Sequence, residues 1–377
     1  MKLHTTYIIE FSPIDLPQSD ILADLNSKLP NAQMSTEMHL TEGLSKYFSD
    51  GLYIKNFPVP SGTKLTIETV QLTIFDGGFG TYQITANLPE TVSSQVLVEI
   101  TEALTDHLEQ HIKLEPQIRK ICEYFGNWFT DDEKDHNQAN LMWAYSQTCV
   151  FDTAENFTRF CRDLGDEEYR TYEDCKVLCD PTATVLFFNK DDRIETALQL
   201  IKSVTLSTAL AYNIQNRAIK LSRTILQDPK LEAKFSSIDK YVRLVNIMDQ
   251  YLTEIYQDDL IANLNEVVFA KPLSLAFELS EVLQKGFKAV ARLKEHIRTL
   301  ENEITRRQQK RMNNILFVFT LLSIVSLVGG VISLYDFANQ ISPIVRMIIV
   351  FISFIISTAF VMYLLNKLSD SKLKRKR

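Results

Sequence analysis

Four groups of residues in this 377-residue chain have the types and spacing to do chemistry. The first is Phe75-Asp76-Gly77-Gly78-Phe79-Gly80, because clustered glycines let a backbone wrap a phosphate. A phosphate loop must open a helix, whose N–H groups then face the anion. After Gly80 the apolar residues alternate instead, as Tyr82, Ile84, Ala86 and Leu88, the pattern of a half-buried strand. The cluster therefore reads as a bend or bulge within a sheet. The second group is His107 and His111, four apart, a spacing that brings two imidazoles to one helix face. A metalloprotease helix needs Glu directly after the first His, and Leu108 stands there. With no third ligand in view the pair reads as two solvated histidines. The third group is a set of acidic runs, Asp131-Asp132-Glu133 with Asp135, Asp166-Glu167-Glu168, Asp191-Asp192 and Asp258-Asp259. None has the alternating oxygens and Gly of an EF-hand. They read as solvated surface, with loose divalent-cation binding between subunits as the alternative. No Ser/His/Asp or Cys/His arrangement has local support, so no catalytic centre is expected.

The fourth group is a stripe of small and polar residues near the C-terminus. At 100° per residue, Thr320, Ser323 and Gly330 fall within about 80° of one another, and Ser326 and Ser333 widen the sector to about 140°. Asn313 continues the same face. Two readings stay open: a close helix–helix contact through small residues, or the lining of a pore. The stripe belongs to Ile315–Leu334, 20 residues without a charge, and Met347–Leu365 is a second apolar segment of 19. A bilayer core of about 30 Å needs roughly 20 helical residues, so each segment has the length of one crossing, joined by a short hairpin tip. Arg306, Arg307, Lys310 and Arg311 precede the first segment, and Lys372, Lys374, Arg375, Lys376 and Arg377 follow the second. The positive-inside rule then puts both termini in the cytoplasm. Met1 to Pro13 has no charged region followed by an apolar one, so no secretory leader is expected. The expectation is a multi-pass protein of the cell (inner) membrane with a large cytosolic part, and the lipid bilayer as a partner.

Charge agrees with that division. The chain is formally −7; residues 301–377 carry 11 basic and 4 acidic side chains, which leaves −14 on residues 1–300. An acidic domain argues against direct nucleic-acid binding, which needs a basic face. The five cysteines, Cys122, Cys149, Cys161, Cys175 and Cys179, lack C-x-x-C spacing and read as free thiols.

The elements that must position these residues follow from periodicity. Leu3–Phe11, Leu52–Phe57, Lys64–Phe75 and Thr81–Leu88 read as strands, and Ser19–Leu29 and Leu40–Phe48 as helices. Thr91–Phe129 is helical. Met142–Phe151 and Thr184–Phe188 form a strand pair around a helix at Ala154–Leu164. The spacing therefore predicts an α+β domain over 1–190. Helices alone follow, as a stalk over 191–312, with Ile194–Leu226, Ile238–Val268 and one unbroken helix from Pro272 to Leu334. Val290, Leu293, Ile297, Leu300 and Ile304 make a heptad seam on that last helix. Either neighbouring helices of the same chain or self-association must cover it. The hairpin occupies 313–368, with spans at about 315–335 and 344–366, and a basic tail 369–377.

This organisation resembles the CorA family of two-span transporters and channels. Arg311-Met312-Asn313-Asn314-Ile315-Leu316 through Gly330-Val331-Ile332-Ser333-Leu334-Tyr335 is similar to its stalk-to-pore segment, and Lys372 to Arg377 to its basic end. The resemblance implies a homo-oligomer, a pentamer, with Asn313, Thr320, Ser323, Ser326, Gly330 and Ser333 lining a pore. The family's Gly-Met-Asn signature follows a Tyr; here Tyr335 is followed by Asp336-Phe337-Ala338, and Asn339 comes one place late. The implied entrance is then Tyr335, Asp336, Phe337 and Asn339, where a ring of Asp336 carboxylates would draw cations by charge. Some CorA-like proteins are membrane effectors of type III CRISPR antiviral systems that answer a nucleotide of the SAM-AMP kind. The resemblance thus implies an ion channel opened by a ligand, a divalent cation or nucleotide-type molecule, on the cytosolic domain. Two alternatives stand beside it: a magnesium-like divalent-cation transporter with an atypical entrance, and a non-conducting membrane-anchored sensor.

Overall fold

The computed structural model describes residues 1–11, 19–29, 32–35, 51–58, 65–75, 78–89, 92–126, 139–164, 169–179, 183–189, 193–227, 238–257, 270–338, 342, 344–345, 347–348 and 351–352. The chain divides into two compact units, Met1–Thr299 and Leu300–Arg377.

The first unit is built on one mixed sheet. Runs rich in Thr, Ile, Val and Tyr form β1 (Lys2–Glu10), β4 (Thr66–Phe75), β5 (Phe79–Asn87) and β6 (Asn140–Phe151), as β-branched and aromatic residues favour. Shorter strands complete it: β2 (Ala32–Ser35), β3 (Gly51–Lys55), β7 (Arg170–Thr171), β8 (Cys175–Cys179) and β9 (Ala183–Phe188). The order is β2-β3-β4-β5-β1-β6-β9-β8-β7. β1 is central, antiparallel to both β5 and β6, while β6 and β9 run parallel. The glycine cluster lies at the junction of β4 and β5, and Gly78 takes a φ of 81°. Phe11 N–H donates to the Gly78 carbonyl at 2.8 Å. Phe79 and Gly80 thus belong to a strand and open no helix, while Asp76 and Gly77 lie outside the described residues.

Alternation gives the sheet two unlike faces. Tyr7, Ile9, Leu72, Ile74, Tyr82 and Ile84 point to one side, into an apolar core. That core is closed by α1 (Ser19–Lys28), α2 (Ser94–Leu114) and α3 (Pro116–Gly126). A second cluster, with Leu3, Cys149, Phe151 and Val185, packs on Phe157, Phe160 and Cys161 of α4 (Ala154–Asp163). The single helical stretch expected over Thr91–Phe129 is broken at Glu115. Pro116 pushes the residue before it out of the helical region, to ψ 120°. The other face presents His4, Thr6, Thr69, Gln71, Thr73, Thr81, Gln83, Thr85, Ser146, Thr148 and Thr184, register neighbours on five strands.

Helix α5 (Ile194–Gln227) covers the polar face, followed by α6 (Ile238–Gln257), α7 (Ala270–Ala276) and α8 (Leu279–Ala338). The expected unbroken helix from Pro272 is interrupted at Glu278, whose φ is 49°. Its N–H donates to the Leu275 carbonyl, closing α7, and its own carbonyl accepts from Glu281 and Val282, opening α8. Val290, Leu293 and Ile297 of the heptad seam are buried within the chain. The helix expected at Leu40–Phe48 and all four acidic runs lie outside the described residues.

In the second unit α8 continues from Leu300 to Ala338. Phe317, Val318, Phe319, Leu321, Leu322, Ile324, Leu327 and Val331 are exposed. Here the expectations from the sequence are corrected. Among the described residues no helix is long and apolar enough to cross a membrane. A crossing needs about 20 successive apolar residues in one helix. Much of α8 is a charged amphipathic helix; within its apolar end the side chains of Val325, Val328, Ile332 and Leu334 lie outside the description. Of the second segment only residues 347–348 and 351–352 are described. The transmembrane hairpin, the multi-pass inner-membrane location with cytoplasmic termini, and the character of a membrane ion channel are thereby withdrawn. The fold class becomes an N-terminal mixed-sheet domain followed by long C-terminal helices.

Gly80 provides a test of the packing at the hairpin. A Cβ there would press into the Thr73 carbonyl oxygen and lie 2.8 Å from Phe11 Cε2. Gly80→Ala is expected to lower stability by about 2 kcal/mol in urea unfolding. At Gly330 an added methyl group would meet nothing within 4 Å, so Gly330→Ala is tolerated and serves as the control.

Candidate functional site

The polar sheet face and α5 enclose a cavity of about 120 Å³. His4, Thr6, Thr69, Gln71, Gln83, Thr85, Ser146 and Thr148 line it from the sheet, and Leu198 and Ile201 from the helix. Strand pairing produces this lining. Residues directly opposite in an antiparallel pair share a face, and His4 stands opposite Thr85 and Thr148, Thr6 opposite Gln83 and Ser146. Thr85 Oγ1 and His4 Nδ1 share a hydrogen bond of 3.2 Å. Burial lowers the His4 pKa, the charge of Lys2 lowers it further, and Glu68 opposes both.

Lys202 is the charged group next to the site: it does not line the cavity itself, but its amine is bonded to Gln83, which does. It follows Ile201 and lies one turn beyond Leu198, the two residues of α5 that line the cavity. Its side chain is buried, and Nζ donates to Gln83 Oε1 at 3.1 Å. Burial alone pulls its pKa from the ordinary 10.5 down to about 7. Buried hydroxyls add to the imbalance. Thr81 and Thr184 on the same sheet face, and Ser207 on α5, have no hydrogen-bond partner among the described residues, although buried hydroxyls ordinarily find one. The lining offers rotatable donors and no carboxylate, and one amine is hydrogen-bonded to its Gln83.

Contacts also join α5 to α6 and α8. Farther along α5, Ser222 Oγ shares a hydrogen bond with His296 Nδ1 of α8. Lys294 of α8 donates to Asp249 Oδ2 of α6 at 2.6 Å. At Gly286 of α8 the missing side chain lets the helices close up: a Cβ there would be 3.1 Å from Leu252 of α6 and 3.6 Å from the Ala211 carbonyl of α5.

None of the residues singled out from the sequence belongs to this site. Asn313, Thr320, Ser323, Ser326, Gly330 and Ser333 lie along α8 and are exposed, and Thr320 Oγ1 donates back to its own helix at the Leu316 carbonyl, 2.8 Å away. Tyr335, Asp336 and Phe337 belong to the last turn of α8, with side chains outside the description, and Asn339 lies outside the described residues. His107 is partly buried and the His111 side chain is only 15% exposed, so neither is the fully solvated histidine expected. His111 packs edge-on to Phe57 and Tyr82, and burial is the first cause lowering its pKa. Among the described residues no three His, Cys, Asp or Glu side chains gather to hold a metal. No family model, curated protein or solved structure matches the chain. The resemblance to the CorA family rests on the organisation expected of residues 190–377 and on the segments Arg311 to Tyr335 and Lys372 to Arg377.

Sequence reasoning missed Lys202. The available signal was the run Ile201-Lys202-Ser203-Val204-Thr205-Leu206-Ser207-Thr208, in which polar residues fall on every side of the helix and leave no solvent stripe.

The buried amine makes a pH-dependent stability. Between about 7 and 10.5 the unfolded chain holds a proton on Lys202 that the folded chain has released, so stability rises with pH across that window. Below it, both states are charged and the full cost of burial remains. Relative to Lys202→Met, the wild type is expected to gain up to about 1.4 kcal/mol per pH unit from pH 7 to 9. Urea titrations at pH 6, 7, 8 and 9 check this; parallel curves for the two proteins would refute the assignment.

Proposed function

We propose that this chain is a ligand-responsive sensor whose sheet-and-helix unit binds a small polar molecule beneath α5 and relays its presence along the helices. The observation that carries this reading is the polar cavity wall itself. A face of threonines, serines, glutamines and one histidine, with an amine buried against it, stabilises a fold poorly. Apolar replacement of such groups is often neutral or favourable to stability. Polarity retained at that cost suits recognition. The linkage supports the second half of the proposal. One helix lines the cavity and also meets α6 and α8, so a shift of α5 is felt at Gly286 and His296. A ligand biases such a linkage only by binding its two arrangements differently.

Of the functions implied by resemblance, sensing is the part retained. Channel and transporter alike presuppose a crossing helix, which is absent among the described residues. Self-association is not required to cover Val290, Leu293 and Ile297, which the chain buries itself.

The test is a thermal-shift screen of small polar metabolites on the full chain, followed by hydrogen exchange with each hit. A ligand at 100 times its Kd should stabilise by about 2.7 kcal/mol. The effect should disappear in Thr148→Phe, which fills the cavity, and weaken in Ser146→Val, which removes a hydroxyl at nearly constant volume. Bound ligand should also change exchange protection in α8 over residues 286–299. Hits undiminished by both substitutions, or binding with no change in α8, would overturn the proposal.

A further inference from the structure

We propose that the ligand of the cavity under α5 is a small oxyanion, a phosphate or carboxylate group, held by hydroxyl donors with Lys202 as its counter-charge; this rests on the sensing reading above. The lining is suited to an anion and to little else. Thr6, Thr69, Thr85, Ser146 and Thr148 each bring a hydroxyl that rotates to donate, and Gln71 and Gln83 bring amide N–H groups. A cation would meet no carboxylate there, since His4 is the one titratable side chain in the lining. Size selects further. At about 120 Å³ the cavity admits on the order of ten waters. It is well below the roughly 300 Å³ at which pockets for drug-sized ligands begin. A phosphate or a short carboxylate fits, whereas a nucleoside does not.

The charge balance favours the same ligand class. An ammonium has three donors, and among the described residues Lys202 Nζ has one partner, the neutral Gln83 oxygen. Burial is the cause that lowers the pKa of Lys202. From the sheet, His4 on β1 faces the cavity, while β4, β5 and β6 contribute only neutral side chains to the lining, as does α5. An oxyanion in the cavity, met by the amine when Nζ leaves the lining residue Gln83, supplies the missing opposite charge and draws one proton from solvent onto Nζ. The amine becomes ammonium, the anion keeps its charge, and no other bond changes. Capture of the anion is therefore coupled to proton uptake above pH 7, a signature that a merely structural lysine lacks. Displacing Nζ from Gln83 toward the anion also moves the side of α5 that closes the cavity.

The experiment uses the full chain with inorganic phosphate, acetate, sodium chloride at matched ionic strength, and ribose as a neutral probe. Phosphate or acetate should raise the unfolding temperature beyond chloride. Calorimetry at pH 8 in two buffers of different ionisation enthalpy should show close to one proton taken up per anion bound, falling toward zero at pH 6. Lys202→Met should weaken anion binding by at least about tenfold. The proton count is measured on the wild type, so it decides the matter even if the variant fails to fold. Anion binding without proton uptake at pH 8, or undiminished in a folded Lys202→Met protein, would overturn the assignment. If ribose stabilises the chain through Thr148 and anions do not, the anion assignment falls while the sensing cavity stands. If neither probe binds, both fall.

Discussion

Every residue of α5 from Ile201 to Leu210 is buried, and five of them are polar. A helix buried all round must be sandwiched, here between the sheet on one side and the later helices on the other. Most of its polar groups are silenced within the helix. Ser203, Thr205 and Thr208 donate to the carbonyls four residues back, at 2.9, 2.7 and 2.8 Å, a local bond that hydroxyls make and longer side chains do not. Lys202 has no such outlet. Its amine must reach across to the sheet, and Gln83 receives it. Rotating or sliding α5 by one position would leave a buried nitrogen without a partner, which costs several kcal/mol when charged. That contact fixes the seating of the helix.

The seating in turn orders the rest of the first unit. With one face of the sheet committed to α5, the apolar side chains of β1, β4 and β5 have the opposite side for α1, α2 and α3. There Tyr7, Phe11, Tyr82 and Phe125 are almost wholly enclosed. The two layers differ in kind: a dry aromatic and aliphatic core on one side, a hydroxyl-lined space on the other. Tyr82 shows how sharply they are divided. Its hydroxyl donates to the Pro58 carbonyl at 2.7 Å, and burial drives its pKa up, while its strand neighbours Thr81 and Gln83 face the polar layer. Beyond the sheet, the missing side chain at Gly286 of α8 leaves room for Leu252 of α6 and the Ala211 carbonyl of α5 close beside it.

The sequence made the long strands and the helical half readable because each carried a clean period. β1, β4, β5 and β6 were legible from β-branched alternation, and α5 and α6 from apolar spacing. The short strands β2, β7 and β8 were not, since four residues or fewer, or a five-residue run between turns, carry too little pattern. Two helix breaks differ in how far the sequence shows them. Pro116 announces its break at Glu115, whereas Glu278 adopts a left-handed φ that no residue type there advertises. The apolar run Ile315–Leu334 dominated the functional reading because hydropathy counts residues without regard to what else shares the helix. The cavity was illegible for a deeper reason. Alternating Thr, Gln and His on a strand reads as a face toward water. Only the topology, which brings five strands into register under one helix, turns that face into an interior.

An anion reaching this interior must overcome the exterior. Residues 1–300 carry a formal −14, a field that repels anions at long range. At physiological ionic strength that field is screened over about 8 Å, so it slows approach without setting the affinity. Affinity is decided inside, where the dielectric is low and a single amine acts strongly. The same acidic surface discourages polyanions, whose many charges cannot all enter a space of this size. A buried amine that takes up a proton with its anion, within a negative shell, therefore discriminates by size and charge together: one small oxyanion is admitted to a site that a larger anion meets only as repulsion.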